Sequence, residues 1–383
     1  MMGPFVPCLD ARRTSTSDMS ALRILQLSML LLLVNQSLDG HQDGTFSSSV
    51  KVSPSVSTAS ARAAPGLPEG SSLAPTRVVM NQTLVTEFLV LGFSEPPGLQ
   101  TLLFLAFLLL YTVALLGNLL IVVVISSSPA LHTPMYFFLV NLALVDILCT
   151  STILPKLLVG MVASRTISYG GCMAQLFFFT WSMGAELLLF SAMAYDRYVA
   201  ICRPLHYSAL MGPQVCQLLA GVVWTVSLTN TGVNTGLLLR LPFCHSNVVE
   251  HFFCEIPPLL KLSCAPTHLN ETMAFTADLF LAVGNFSVIM LSYGCIVGSI
   301  LRIRSAAGKQ RAFSTCSSHL LAVTMYYSTV IYTYIRPTSS YSLDKDKLVS
   351  VIYTSVAPSL NPLIYSLRNT EVKVALGRLL SYR

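Results

Sequence analysis

The sequence predicts an all-α membrane protein, a bundle of seven transmembrane helices with its N-terminus outside and a short amphipathic helix at its C-terminal end. Three observations predict it. First, the 383 residues are 53% hydrophobic and only 10% charged, against about 25% charged and 45–50% apolar in a typical soluble domain. That shortfall is too large for a surface that meets water everywhere, and lipid resolves it. Second, apolar runs near the ~20 residues needed to cross a bilayer recur from residue 101 onward. Third, Lys and Arg gather at the ends of these runs, where they set orientation. They form no dense basic patch with interleaved aromatics, so the net charge of +6 carries no expectation of nucleic acid.

The chain opens with an atypical extension, residues 1–79. Its segment 24–34 is an apolar run preceded by Arg12, Arg13 and Arg23. It is too short for a ~30 Å hydrocarbon core but suits a signal-peptide core, although no clear small-residue cleavage site follows. Residues 41–79 are rich in Ser, Ala, Pro and Gly and read as disordered. Met80 offers a second start, and 80–100 reads as an extracellular N-terminal tail. The seven-span domain covers 101–367, with spans expected near 101–126, 136–162, 172–199, 216–239, 273–301, 312–335 and 347–367. Residues 368–383 form the cytoplasmic tail.

Orientation follows from the basic residues. With the N-terminus outside, the inner connections hold Arg203, Arg302, Arg304, Lys309 and Arg311, and the tail adds Arg368, Lys373, Arg378 and Arg383. The outer loops hold Arg165, Arg240, Lys261, Arg336, Lys345 and Lys347, the last two offset by Asp344 and Asp346. The glycosylation triplets at Asn81 and Asn270 both fall outside on this assignment. The triplet at Asn285 lies within a span and should be silent.

No CxxC pair occurs among the ten cysteines, which argues against a zinc site. Cys149, Cys295 and Cys316 fall inside apolar runs, where a buried thiol is the ordinary reading. Cys172 begins the third span on the outer side, and Cys244, Cys254 and Cys264 share the long outer loop. Four cysteines on an oxidising face allow three pairings, and spacing does not choose among them.

Ionisable residues at membrane depth are costly and usually mark function. At ~1.5 Å per helical residue, Asp146 and Glu186 fall at the same depth, each about 11 residues from the inner end of its span. Asn118 and Asn361 approach that level from spans one and seven. Such a cluster suits a bound sodium ion or a proton shared between carboxyls, and equally a polar core that only orients helices. No other cofactor is expected. A second ring lies higher. Phe179, Thr180, Met183 and Gly184 lie on span three, Asp278 on span five, Tyr327 and Tyr334 seven apart on span six, and Thr354 on span seven. An apolar, aromatic cavity with a few polar groups is what a small organic ligand requires, and plain helix packing is the competing account of each residue.

Six motifs then carry a resemblance. They are Gly117-Asn118, Pro134-Met135-Tyr136-Phe137, the stretch from Met193 through Asp196-Arg197-Tyr198 to Cys202, Ser292-Tyr293, Ala312 through His319, and Pro358 through Asn361-Pro362 to Tyr365. In this order, from about residue 80 to the C-terminus, they resemble the olfactory (odorant) receptors, a family of rhodopsin-like, class A G-protein-coupled receptors. The resemblance implies a small volatile organic ligand held among spans three, five, six and seven, and a heterotrimeric G protein of the stimulatory, olfactory type that raises cyclic AMP at the plasma membrane. It implies Asp196, Arg197, Tyr198, Tyr293 and Tyr365 as the switch and G-protein-coupling group, with Arg197 paired to Asp196 at rest. It also implies the disulfides Cys172–Cys254 and Cys244–Cys264, and it matches Asp146 and Glu186 to an intramembrane acidic pair. One departure is Tyr326-Tyr327-Ser328, where the family carries Phe-Tyr-Gly. The resemblance does not cover residues 1–79.

Two rivals remain at this point. A rhodopsin-like receptor for an amine or peptide would explain Asp278 but not the sequences around Asp196 and His319. A transporter would predict internal repeats and broken, paired short helices, and neither is seen. No nucleophile–base pairing, metal motif or phosphate loop points to an enzyme.

Overall fold

The computed structural model describes residues 85–381 except 94, 245, 336–342, 368 and 369. The extension 1–79 and the triplet at Asn81 lie outside the described residues. Seven long helical rods follow one another: α1 (Pro97–Ser127), α2 (Pro134–Val162), α3 (Tyr169–Cys202), α4 (Pro213–Leu238), α5 (His268–Arg302), α6 (Ala306–Ile335) and α7 (343–367). A shorter helix, α8 (Thr370–Ser381), closes the chain. Most rods run several residues past the expected spans. An apolar run reports only the part at hydrocarbon depth, whereas the helix continues until a stop or start signal. Pro97, Pro134 and Pro213 supply such starts, since proline at a first turn lacks only an N–H that would go unpaired anyway.

The outer faces of the rods explain the low charge. Leu102, Leu109 and Leu116 of α1 are each more than half exposed, and only 28% of its most apolar stretch is buried in the bundle. A water-soluble protein would not leave that much leucine uncovered. Among the described residues, five rods are long and apolar enough to cross a membrane alone, and α4 joins them when counted with the short helix bent 65° from it. α6 is long enough but more polar, opening with Lys309 and Gln310 and carrying Ser314, Ser317, Ser318 and His319.

Close approach between α1 and α7 depends on Gly117. A Cβ there would stand 3.0 Å from the ring of Pro362. Beside it Asn118 donates to the carbonyl of Pro358 at 3.1 Å, and Ser359 donates to the carbonyl of Leu110 at 2.9 Å. Across the bundle, Trp224 of α4 donates to Asn141 of α2 at 2.9 Å. Two wide π-type turns interrupt the regular helix, Leu279–Gly284 in α5 and Ile352–Val356 in α7. Nothing in the apolar periodicity announces them.

The sequence missed one element. Residues 87–90, expected to belong to a featureless tail, form strand β1 (Glu87–Val90), flanked by β2 (Thr166–Ser168) and β3 (Val248–Val249). β1 pairs antiparallel with β2 and parallel with β3, in the order β2-β1-β3. Phe88 on β1 is fully buried against Tyr169 and Phe243. The small sheet caps the Cys172 end of the bundle, so the fold is all-α apart from this cap.

Candidate functional site

The polar layer lies midway along the rods. Asp146 on α2, Glu186 on α3, Asn118 on α1 and Asn361 on α7 are all buried. The Asn361 amide donates to both carboxylate oxygens of Asp146, at 3.0 and 3.3 Å, and the two acids lie within electrostatic reach of each other. Among the described residues, neither oxygen of Glu186 has a hydrogen-bond partner. A carboxylate left bare in such a place is expensive, so the layer has room in its chemistry for a proton or a cation. Its oxygen donors suit sodium, whereas no group of three or more His, Cys, Asp or Glu side chains is gathered for a metal among the described residues.

Toward the Cys172 end, the long loop is drawn down onto the bundle. Cys172 and Cys254 are paired with their Cα atoms 5.6 Å apart, and Cys244 and Cys264 with theirs 5.8 Å apart. Gln175, one turn below Cys172, accepts from the backbone N–H of Cys254 at 2.9 Å and donates to the carbonyl of Thr152 at 3.0 Å. That places Phe253 edge-on to Phe179, centroids 4.8 Å apart, with Tyr353 of α7 stacked on the same ring at 6.4 Å. His251 is buried beside them, with Nε2 3.4 Å from the Ser350 hydroxyl and 3.9 Å from Glu255. Burial, then Lys347, pushes its imidazole down to about 4. It is therefore neutral near pH 7, and its approach to Glu255 is not an ion pair there.

Of the expected upper ring, the structure brings together Phe179 and Met183. It adds Tyr326, whose hydroxyl donates to the Met183 sulfur at 3.7 Å, along with Tyr353 and Phe253. Thr180 is half-buried on α3. Gly184 points elsewhere, since a Cβ on it would stand 3.2 Å from Cβ of Ser227 on α4, so its smallness serves helix contact. Tyr327 packs on Phe286 of α5 at 4.8 Å and donates to the Ala282 carbonyl at 3.4 Å. The Thr354 hydroxyl is spent on its own helix, donating to Ser350 at 2.7 Å. Asp278 and Tyr334 lie on α5 and α6, with side chains outside the described residues. Phe253 and Tyr353 had only weak signals in the sequence, adjacency to Cys254 and to Thr354.

Asn270, expected as a glycosylation site, sits in the first turns of α5 with 6% of its surface exposed. Asn285, whose triplet lies within a span, accepts from Ser191 of α3 at 2.7 Å.

At the opposite end, Arg197 donates to Asp196 at 2.6 Å, and both are buried. Tyr207, in the turn after α3, donates to the other Asp196 oxygen at 2.7 Å. Sequence reasoning passed over Tyr207. Its signal is a lone tyrosine eleven residues after the acid, where the chain folds back under α3. Tyr293 is bonded to Nδ1 of His319 at 2.7 Å, and Nε2 of that ring lies 3.1 Å from the Phe190 carbonyl. His319 therefore ties α6 to α3 and α5. The Tyr365 hydroxyl is buried and has no hydrogen-bond partner among the described residues. Tyr198 stacks on Tyr195 at 6.4 Å and has no part in the ion pair.

Comparison with known proteins completes the picture. The profile of the family described as "Olfactory receptor" matches residues 107–383. The chain is 54% identical over 304 residues to human olfactory receptor 13G1, covering 79% of this chain and 99% of that one. It is 56% identical over 307 residues to human olfactory receptor 13A1, covering 80% and 94%. Mouse olfactory receptor 5AP2 is 47% identical over 301 residues, covering 78% and 95%. A lipid-facing bundle of seven rods, six motifs in order and this degree of identity lead to one conclusion: the chain belongs to the olfactory receptor family of class A G-protein-coupled receptors, and is a receptor rather than an enzyme.

Proposed function

We propose that this chain binds a small volatile organic ligand within the helical bundle and activates a stimulatory, olfactory-type G protein, raising cyclic AMP. The reading places it in the plasma membrane with the N-terminus and the Cys172 end outside. The excess of arginine and lysine at the Arg197 end supports that orientation. The observation that carries the proposal is the buried Arg197–Asp196 pair at the inner end of a bundle of this family. A buried pair of this kind contributes little stability over an apolar contact, but it is well suited to hold one of two packings and to release a charged side chain in the other.

We assign the ligand to the apolar, aromatic region around Phe179, Thr180 and Met183, against which Tyr326 and Tyr353 pack. Asp278 and Tyr334 remain members by their places on α5 and α6. The Asp146–Glu186 layer lies between this region and Arg197. A sodium ion held by their oxygens would favour the resting packing, because closing the bundle around an activating ligand would crowd it.

The test is cyclic AMP in a heterologous cell exposed to a panel of volatile ligands. An active ligand should raise cyclic AMP in the parent receptor. Arg197→Ala, delivered to the surface in equal amount, should lose at least about nine-tenths of that response. A ligand-driven signal that survives both Arg197→Ala and removal of the G protein would sink the proposal.

A further inference from the structure

At the Cys172 end, beside strand β1, a cavity of about 20 Å³ is lined by Gly92, Phe93, Lys156, Gly160, Arg165 and Phe252, among others. It holds one water-sized body, since about 10–15 Å³ on this scale suffices for a water. Two of its lining side chains, Lys156 and Arg165, are cations, and both are half-buried. A third cation, Lys347 in the first turns of α7, is half-buried too and donates to the carbonyl of Gly92 at 2.8 Å. Gly92 has a φ of 65°, a conformation that glycine enters without steric cost. The turn it makes also sends its N–H to the carbonyl of His251 at 3.0 Å.

Among the described residues, the hydrogen bonds of these three cations all go to backbone carbonyls. Lys156 donates to Ser164 at 3.1 Å and to Thr166 at 2.6 Å, and Arg165 donates to Leu91 at 2.9 Å. None of the three has a carboxylate of a described residue within ion-pair distance. Carbonyl dipoles orient a cation but leave its net charge uncancelled. Like charges gathered about one small space repel, and more strongly where water is partly excluded. An ammonium carries three donors and a guanidinium five, so each side chain keeps donors beyond the carbonyls it serves.

We propose that this cavity is a binding site for one small inorganic anion of chloride size, held by the unused donors of Lys156 and Arg165 within the field of Lys347. The charge selects an anion over a water, which would meet the donors and leave the repulsion in place. The volume selects a monatomic ion over a carboxylate ligand or a phosphate headgroup. Once bound, the ion fastens the end of β1 to the outer end of α2 and the first turns of α7. Phe252 lines the same cavity, stacked on Phe93 at 5.3 Å, and its neighbour Phe253 lies against Phe179. The anion therefore braces the loop that covers the bundle. Binding is independent of the signalling proposed above.

The test is the melting temperature of the full receptor in phosphatidylcholine nanodiscs, at constant sodium, in chloride against an equal concentration of gluconate, an anion too large for the cavity. The parent should melt several degrees higher in chloride. Lys156→Gln and Arg165→Gln should each lose that difference. Gly160→Val separates occupancy from charge, because it keeps every cation. A Cβ at Gly160 meets nothing nearer than the Cα of Arg165 at 4.0 Å, so the added side chain fills the cavity and should also abolish the difference. Lys261→Gln changes an exposed lysine outside the cavity and should leave the difference intact. The chloride magnetic resonance signal should broaden with the parent and not with the three cavity variants, a readout that does not depend on how stably each variant folds. Equal melting of the parent in the two salts overturns the site. A chloride difference that persists in Gly160→Val, or disappears in Lys261→Gln, overturns it as well, since either marks general screening of the outer surface.

Discussion

Tyr207 holds more of the inner ion pair than its position between named motifs suggests. Asp196 is shared between a guanidinium and a phenol, and each hydrogen bond to a charged group is worth roughly 1.5–3 kcal/mol in a buried setting. Tyr207 is only part-buried, so the lower part of that range applies. Tyr207→Phe should raise basal cyclic AMP several-fold in cells with equal surface receptor, because it weakens only the resting arrangement. A basal level equal to the parent's would show that the phenol is ornamental. Gly117 makes the complementary point about size, since its missing Cβ is what lets Pro362 lie against α1.

At the scale of elements, the cap at the Cys172 end joins three parts of the chain that are remote in sequence. β1 holds β2 and β3 together, and Phe88 anchors it in a pocket closed by Phe243 and Tyr169. Phe88→Ala should cost about 3–5 kcal/mol locally, read as a lower melting temperature and lower surface delivery of the purified or expressed receptor. An unchanged melting temperature would remove the cap from the stability account. His251 gives the same region a pH dependence. Its folded value of about 4 lies below its ordinary 6.5, so between these values the unfolded loop binds a proton that the folded loop does not. Stability should therefore be full above pH 6.5, fall as pH drops toward 4, and level off below, by no more than about 3 kcal/mol in all. Melting curves at pH 7.5 and 5 should differ for the parent and converge for His251→Gln.

For the whole molecule, the mid-bundle acids are the buried charges that lie between the two ends. Glu186 has no partner for either oxygen among the described residues, while Asp146 is already engaged by Asn361. If sodium fills the gap, the ligand-free receptor in nanodiscs should melt several degrees higher in sodium than in an equal concentration of a bulky organic cation. Glu186→Gln should remove that difference. Sodium-independent melting of the parent would leave a proton as the occupant.

Much of this was legible in the sequence because of what lipid forbids. Backbone groups at hydrocarbon depth must bond within a helix, so run length and the flanking basic residues were enough to place seven rods, and the price of a buried charge singled out Asp146 and Glu186, whereas Arg197 came from the family resemblance alone. The candidate ligand region was legible only in part. Phe179 and Met183 were found from helical spacing, but Gly184 and Tyr327 share that spacing and face neighbouring helices. Periodicity gives the angle of a side chain about its own axis and not which neighbour stands at that angle. Tertiary structure alone decided the strand at Glu87–Val90, the placing of Phe253 and Tyr353, the burial of Asn270 and the grip of Tyr207 on Asp196. Each of these depends on contacts between segments far apart in the chain, whose free energy no local pattern records. The seven spans needed only the bilayer to specify them, whereas the sites between them needed the bundle.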